Sequence, residues 1–469
     1  MNSTEFKIKN YTNLTVNGDT NAREMVLGVV DSVLKALNSE IVINKAISLK
    51  GEILSIGENQ WDLRERENIY VVGGGKACNS MVKALSLILG ERVTKGIAIV
   101  KFIDPEDVYP NIDIYEGGHP IPNRKGYEAS LKLLDLVSTA GPGDLFISMI
   151  SGGSSALMSC PVEGISLEDE MEVSRIMLQA GARIMEINAV RRHISRLNGG
   201  RLAQKILATG AELVNLIIWD IVGDNLKSNL NNPSQFFGTP VGADNTTVID
   251  ANRAIEKYRL ADLLPSSVVA FLKSEKQNIE TPKQLDGRVT HYVLQVPADV
   301  ASTAQYVCEQ KQIPSYVLTT SLEGESRELG VFLSSIVKEV LHYGRPVQSP
   351  CFLVIGGEST VRVDKSNGKG GPNQEVAISF AREINGLNGV CMAAIGTDGT
   401  DGPTDFAGGI VDGETARQAT LAKIDLDACL ESHESYNALA ELKNGIITGN
   451  TGTNLCDFIL IYIPGELHD

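Results

Sequence analysis

The sequence predicts an α/β protein built from parallel sheets and helices. Apolar runs at residues 69–72, 145–150 and 213–218 have the length of buried strands. The first two end in segments of glycine or serine, after which helical patterns begin. A repeated order of strand, small-residue turn and helix is typical of βαβ units, which form parallel sheets.

A polar stretch at residues 273–287, which contains Thr281-Pro282, predicts a boundary between two domains. Before it, residues 21–37 have helical periodicity, with Met25, Val29 and Val33 on one face. After it, strand-like runs follow at residues 290–296, 315–319, 350–355, 390–395 and 458–463. We therefore predict an N-terminal α/β domain over residues 1–272 and a C-terminal α/β domain over residues 288–469.

Charge and cysteine usage exclude several classes of function. The chain has 42 basic and 58 acidic residues, a net charge of −16, which argues against a nucleic-acid binder or a binder of anionic membranes. The 7 cysteines include no CxxC pair, so neither a zinc site nor a redox motif is predicted. The first residues lack the apolar stretch of a signal peptide, and no apolar run reaches about 18 residues. These features indicate a cytoplasmic protein.

The first candidate for chemistry is Gly73-Gly74-Gly75-Lys76, which follows a strand and opens a helix. Glycine lets the backbone present its N–H groups to an anion, and lysine supplies a full positive charge. Neither the Walker A pattern nor GxGxxG is met, since Ala77 follows the lysine and Cys78 takes the third glycine position. A plain strand–helix turn is the alternative.

The second candidate, Ser151-Gly152-Gly153-Ser154-Ser155, also follows a strand. Small residues let a phosphate approach closely, and hydroxyls add donors. A serine nucleophile would need a nearby base, and no GxSxG is present. We favour phosphate binding over a nucleophile or a plain turn.

Charged residues near later strand ends and helices extend this pattern. Arg191 and Arg192 lie inside a predicted helix, where only one of two successive arginines can face a ligand, and a guanidinium suits carboxylate or phosphate. Asp220 and Asp224 follow a strand, where a carboxylate can orient a hydroxyl, accept its proton or bind Mg²⁺. His119 is an acid–base candidate or a turn residue.

A glycine-rich acidic loop at residues 396–405 follows the strand-like run at 390–395. Its aspartates are Asp398, Asp401 and Asp405, and carboxylates are the ligands that Mg²⁺ prefers. No glutamate follows at the spacing of an EF-hand. The loop therefore predicts a magnesium site, with a solvated acidic turn as the alternative.

Taken together and in order, these segments resemble the class II glycerate kinases. The likeness covers residues 73–76, 117–120, 151–155, 188–201 and 220–224 in the first half. The likeness to the C-terminal domain of that family, called the MOFRL domain, covers residues 322–325, 356–358, 368–375, 396–405 and 448–454. The resemblance extends from about residue 21 to 463.

This resemblance implies two Rossmann-like, three-layer α/β/α domains with the active site in the cleft between them. It implies transfer of the γ-phosphoryl group of ATP to the 2-hydroxyl of D-glycerate, with ATP and Mg²⁺ as cofactors. Lys76 would neutralise the transferring group, Asp220 would position or deprotonate the hydroxyl, and Arg191 would bind the glycerate carboxylate.

The remaining expected site residues form three groups. Ser154 and Ser155 are expected to contact the substrate, and Asp398 and Asp401 to bind the metal. The residues expected to bind nucleotide phosphates are Gly74, Gly75, Ser151, Gly152, Gly153, Lys369, Gly370, Gly371, Asn373 and Glu375.

Three positions depart from the family pattern. Pro372 stands where many members have Arg, Trp219 where they have Ser, and Phe237 begins an altered segment. These changes leave open a kinase of another small hydroxy acid or a non-catalytic anion-binding protein. A further alternative is an NAD(P)-dependent hydroxypyruvate reductase, a label that this family has sometimes received, although the broken GxGxxG pattern and Lys76 argue against it. The predicted partners are glycerate and ATP, without nucleic acid or membrane, and a homodimer is left open.

Overall fold

The structure is a computed structural model that describes residues 6–104, 107–222, 239–274, 279–363 and 368–465. The chain divides into two compact units. The parallel-sheet unit contains the described residues within 39–219 and 225–295. The mixed-sheet unit contains those within 1–38, 220–224 and 296–469.

Helices and strands alternate along most of the described chain. The helices are α1 (Tyr11–Thr15), α2 (Thr20–Ala36), α3 (Ser39–Ala46), α4 (Cys78–Leu89), α5 (Arg124–Ser138), α6 (Ser154–Leu157), α7 (Leu167–Gln179), α8 (Ile184–His193), α9 (Arg201–Ala208), α10 (Val248–Lys257), α11 (Ser266–Leu272), α12 (Ala298–Gln310), α13 (Ser326–Tyr343), α14 (Pro372–Glu383), α15 (Thr415–Leu421), α16 (Leu426–Glu431) and α17 (Ser435–Glu441). The strands are β1 (Ile47–Lys50), β2 (Ile53–Ile56), β3 (Asn59–Asp62), β4 (Ile69–Gly74), β5 (Lys95–Val100), β6 (Ile112–Glu116), β7 (Leu145–Ile150), β8 (Glu212–Ile218), β9 (Val289–Gln295), β10 (Ser315–Glu325), β11 (Cys351–Thr360), β12 (Cys391–Gly396), β13 (Gly408–Asp412), β14 (Gly445–Ile446) and β15 (Asp457–Ile463).

The parallel-sheet unit has six parallel strands in the order β6-β5-β4-β7-β8-β9. Strands β4 and β7 are buried along their whole length, which explains their continuous apolar sequence. One sheet face packs against α5 and α9 through Leu133 and Ile206. On the other face, Cys78 of α4 lies against Gly73. Because the strands are parallel, the loops after β4, β6 and β7 share one edge of the sheet.

The mixed-sheet unit has strands in the order β10-β11-β15-β12-β13-β14. Only the β10–β11 pair is parallel, and the other pairs are antiparallel. Helices α13 and α14 cover one face, where Val337 and Phe380 belong to the core. Helices α2 and α12 pack against the strands from the other side. The α/β class is therefore confirmed, but this second sheet is not the parallel sheet that repeated strand–helix order suggested.

The two units do not follow the predicted domain boundaries. Helix α2, predicted within residues 1–272, belongs to the mixed-sheet unit, where Arg23 pairs with Asp412. Strand β9, predicted within residues 288–469, pairs with β8 of the parallel sheet. A polar segment shows where a chain can cross between sheets, but strand pairing is a long-range contact that local composition does not encode.

Candidate functional site

The loop that carries Lys76 is joined directly to the loop after β7. The Lys76 backbone N–H donates to the Gly152 carbonyl at 3.0 Å, and the Ala77 N–H donates to Ser151 Oγ, also at 3.0 Å. Gly75 has φ +140°, and a Cβ on it would lie 2.6 Å from the Ser151 carbonyl oxygen. Only glycine allows this approach, so Gly75 brings the two predicted phosphate-binding segments together.

A histidine completes this cluster above Gly153. A Cβ built on Gly153 would lie 3.2 Å from His119 Nε2 and 3.3 Å from Lys76 Cγ. Gly153 has φ +82° and immediately precedes α6, so its bare Cα face is open to both side chains. The arrangement brings a lysine, an imidazole and backbone glycines to the carboxyl edge of the parallel sheet, where they suit an anionic ligand.

The two predicted substrate serines differ in exposure. Ser154 is buried, whereas Ser155 is partly exposed at the start of α6. The side-chain amide of Asn198 donates to the Ser155 carbonyl at 3.0 Å and ties this short helix to the segment after α8. Ser155 is therefore the better placed of the two to reach a ligand.

Arg191 lies in a protein environment instead of an open site. Its side chain is 5% exposed; Nε donates to Ser174 Oγ at 3.1 Å and Nη2 donates to the Pro120 carbonyl at 3.0 Å. Glu170, 1% exposed, supplies the opposite charge, and burial raises the pKa of this carboxyl to about 7. These contacts give Arg191 a task within the protein, so its predicted binding of a carboxylate gains no support from them.

Asp220 belongs to the mixed-sheet unit, although it directly follows β8. Its Oδ2 accepts a hydrogen bond from the Asn454 side chain at 2.8 Å, and its carbonyl accepts one from Cys456 Sγ at 2.8 Å. The segment around Asn454 is itself held by Thr397, whose Oγ1 accepts from the Leu455 N–H at 2.7 Å. Asp220 is thereby oriented by the loop that precedes β15.

The predicted metal ligand Asp401 serves as a helix cap. Its Oδ1 accepts from the Asn373 N–H at 3.0 Å, and its Oδ2 accepts from the Gln374 N–H at 2.9 Å, at the start of α14. Burial raises the pKa of this carboxyl to about 6. Asp398 Oδ1 accepts from the backbone and hydroxyl of Thr400. This pair does not fit a magnesium site, because Asp401 is buried and its oxygens are used by the protein.

The expected nucleotide residues of the C-terminal half are also tied into the protein. Asn373 links two carboxylates, donating to Asp401 at 3.2 Å and to Asp457 at 2.7 Å. Glu375 is 1% exposed and accepts from His433 Nδ1 at 2.7 Å. These side chains hold the loops around α14 together, so both are already bonded within the protein.

The glycine segment before α14 lies against residues 432–436. A Cβ on Gly370 would be 3.2 Å from the His433 carbonyl oxygen, and Gly371 is the residue at which α14 is capped. The Lys369 ammonium lies 3.7 Å from the centroid of the Tyr436 ring, a cation–π contact on the surface. Of the residues expected here, Lys369 is the exposed one.

The departures from the family pattern have different structural settings. Pro372 is the first residue of α14, a position that favours proline because its N–H has no helical partner. Trp219 is 3% exposed, and its backbone N–H donates to the Gln295 carbonyl at 2.9 Å. Asp224 and Phe237 lie outside the described residues.

Sequence reasoning missed two members of these clusters. His119 was weighed only as an acid, base or turn residue, yet it meets Lys76 over Gly153. Asn454, which orients Asp220, carried no role. The usable signal was position, because each residue lies in a glycine-containing loop next to a strand: His119 follows β6, and Asn454 precedes β15. In the described part of the chain, no three His, Cys, Asp or Glu residues are grouped as a metal site would require. No helix described here is long and apolar enough to cross a bilayer.

Two family models match the chain. Residues 25–273 match a domain described as a domain of unknown function, DUF4147, and residues 351–457 match the MOFRL family. Together they cover more than half of the chain.

Named relatives match over most of the chain. A glycerate 2-kinase of Pyrococcus horikoshii is 36% identical over 95% of this chain and 98% of its own length. A D-glycerate 2-kinase of Thermotoga maritima is 38% identical over 84% and 90%. A protein of Agrobacterium vitis named putative hydroxypyruvate reductase is 32% identical over 95% of each. The crystal structure of a glycerate kinase from Thermotoga maritima superposes with a TM-score of 0.74 at 34% identity, covering 95% of this chain and 100% of that one.

Proposed function

Because this chain belongs to the family of DUF4147 and MOFRL domain proteins that includes the glycerate 2-kinases, we propose that it phosphorylates D-glycerate at the 2-hydroxyl with ATP. The products are 2-phosphoglycerate and ADP. The observation that carries the proposal is the convergence of Lys76, Gly153 and His119 at the carboxyl edge of the parallel sheet.

Phosphoryl transfer requires positioning and charge stabilisation more than covalent chemistry from the protein. The hydroxyl oxygen of the acceptor attacks the γ-phosphorus, the bond from that phosphorus to the β-bridging oxygen breaks, and the hydroxyl proton leaves. Lys76 offsets the negative charge on the phosphoryl oxygens, and the absence of side chains at Gly152 and Gly153 lets the phosphate approach the backbone closely. Asp220, held by Asn454, is the candidate acceptor of the proton.

ATP is the phosphoryl donor in this proposal, and Mg²⁺ is expected to accompany it. The cation commonly binds through one or two carboxylates together with phosphate oxygens. Asp398 and Asp401 do not fit as its ligand pair, for the reasons of burial and helix capping given above. We therefore assign the metal no protein ligand and no step.

The test is a coupled assay of ADP release with ATP, Mg²⁺ and D-glycerate, with the product identified by NMR. We expect 2-phosphoglycerate from the wild type. Lys76→Ala should lower turnover by about two to three orders of magnitude, as loss of a key electrostatic group commonly does. The matched control is Lys95→Ala, which removes an exposed lysine at the amino end of β5, on the opposite edge of the same sheet.

Near-wild-type turnover in a folded Lys76→Ala protein would remove Lys76 from the mechanism.

A second function is suggested by the name of the Agrobacterium vitis relative. Oxidation of NADH on addition of hydroxypyruvate, without ADP release from ATP and glycerate, would show that the protein is a reductase and not a kinase.

A cytoplasmic location and a homodimer remain predictions, which fractionation and sedimentation would test.

A further inference from the structure

We propose that His119 is a further catalytic residue of the Lys76 site, contacting an anionic oxygen of the substrates, and that Arg191 is the residue that positions it. The inference rests on the proposed function and assigns the anion to the phosphates of ATP or to the carboxylate of glycerate. Sequence reasoning had given Arg191 that carboxylate directly; here it acts through the loop that carries His119.

The imidazole of His119 lies beside the lysine stem over Gly153, and all three residues are partly buried. From the position of a Cβ on Gly153, His119 Cδ2 would be 2.9 Å away, His119 Nε2 3.2 Å and Lys76 Cγ 3.3 Å. The edge of the ring that carries Nε2 therefore faces the glycine turn. A histidine nitrogen can donate to an anionic oxygen, and a neighbouring lysine would attract the same group. The three features together form one anion-binding surface.

The loop that carries His119 is anchored on both sides. Before the histidine, the Gly117 N–H donates to the Val100 carbonyl at 2.8 Å, and a Cβ on Gly117 would be 3.0 Å from the Leu157 carbonyl oxygen. After it, the Pro120 carbonyl accepts from Arg191 Nη2 at 3.0 Å. His119 thus sits between a backbone anchor and a guanidinium anchor.

Burying an arginine for one carbonyl is costly unless its charge is compensated. Arg191 is 5% exposed, and the structure surrounds it with Ser174, which accepts from Nε, and with the buried carboxyl of Glu170. Ser174 in turn donates to the Glu170 carbonyl at 3.0 Å. Helices α7 and α8 therefore hold the Arg191 guanidinium in place, and this group donates to the carbonyl of Pro120, the residue after His119.

The first experiment compares His119→Ala and His119→Gln with the wild type in the assay of ADP release. Loss of a hydrogen bond to a charged group should lower kcat/KM about 10- to 100-fold in His119→Ala, and glutamine should recover part of it because it keeps a donor. A higher KM for ATP identifies a phosphate as the anion, and a higher KM for D-glycerate identifies the carboxylate. His342→Ala, an exposed histidine of α13, is the control. Values of kcat/KM for both substrates within about twofold of wild type in His119→Ala would overturn the assignment.

The second experiment asks whether Arg191 acts through His119. Arg191→Lys and Arg191→Met are each measured alone and combined with His119→Ala, with thermal unfolding recorded for every protein. Positioning predicts that Arg191→Lys unfolds close to the wild type, lowers kcat/KM when His119 is present, and changes it little in the His119→Ala background. Fully additive losses would show that Arg191 does not act through His119.

Failure of the proposed function is distinguishable from failure of this inference. If the wild type does not phosphorylate D-glycerate, calorimetric titration with ATP and with D-glycerate replaces the turnover assay. Weaker binding of either one by His119→Ala would still support the contact, whereas equal binding of both would refute it.

Discussion

The buried ion pair between Arg23 and Asp412 should hold helix α2 on the mixed-sheet unit. Both side chains are 0% exposed, and Arg23 Nε lies 2.5 Å from Asp412 Oδ2. Arg23 Nη1 also donates to the Leu14 carbonyl at 3.2 Å and to Asn444 Oδ1 at 2.9 Å. The perturbation is Arg23→Met, which keeps an unbranched apolar stem and removes the charge and the donors.

Removing one partner of a buried pair leaves the other charge uncompensated, which costs about 3–5 kcal/mol. Asp412 keeps two backbone donors, the N–H groups of Asp19 and Glu414, each at 3.0 Å. These reduce the penalty, so we expect a loss near the lower end, about 3 kcal/mol. Replacing both residues, as in Arg23→Met with Asp412→Leu, should recover much of it because no charge remains buried.

The assay must report on the mixed-sheet unit. The chain has 2 tryptophans, Trp61 and Trp219, and both belong to the parallel-sheet unit, so intrinsic fluorescence is unsuitable. Hydrogen exchange of the α2 amides, measured by mass spectrometry with urea titration, follows the relevant segment. The control is Lys338→Met, whose partner Glu383 is partly exposed and whose loss should change little. An Arg23→Met protein with unchanged exchange in α2, or a loss below about 1 kcal/mol, would refute the reasoning.

Two other predictions concern the parallel-sheet unit. Gly75→Ala places a Cβ 2.6 Å from the Ser151 carbonyl oxygen at a φ that side chains rarely adopt, so thermal unfolding should show a loss of stability of at least about 1–3 kcal/mol together with reduced turnover. The control is Gly141→Ala, which has open space around it and should change neither stability nor turnover. Equal behaviour of the two variants would contradict the strain argument. Glu170 has a folded pKa of about 7, above its unfolded value, so the stability it contributes is present at low pH and is lost as the pH rises through about 7. Urea unfolding from about pH 4 to pH 8 should show a fall on the order of 3 kcal/mol that Glu170→Gln removes, and an unchanged profile in that variant would assign the dependence to other groups.

The expectations that rested on local sequence agree well with the structure. The apolar runs at residues 69–72, 145–150 and 213–218 lie within β4, β7 and β8, because a strand buried on both faces needs continuous apolar residues. The glycine and serine segments lie at strand ends, because only small residues fit where two backbones approach, as Gly75 and Ser151 do. The position of Lys76, directly after the glycine segment at the end of β4, follows from the same local pattern.

Side-chain roles are harder to predict from sequence, because they depend on burial. Asp398 and Asp401 looked alike in the sequence, but Asp401 is 3% exposed and caps α14. Arg191 looked like a ligand contact, and its nitrogens instead donate to Ser174 and Pro120. A charged residue in a glycine-rich or helical segment has the same sequence signature whether it contacts a ligand or is bonded within the protein. The difference lies in the residues that pack over it.

The sequence by itself determined the α/β class, the strand-end loops and the position of Lys76 after a strand, because periodicity and small residues are local properties of the chain. Only the tertiary structure decided that α2 belongs with the C-terminal strands, that β9 joins the parallel sheet, and that His119 meets Lys76 over Gly153. Each of these depends on contacts between residues far apart along the chain. Such contacts form only when strands pair and helices cover the sheets, and the free energy that selects them comes from burying both surfaces at once.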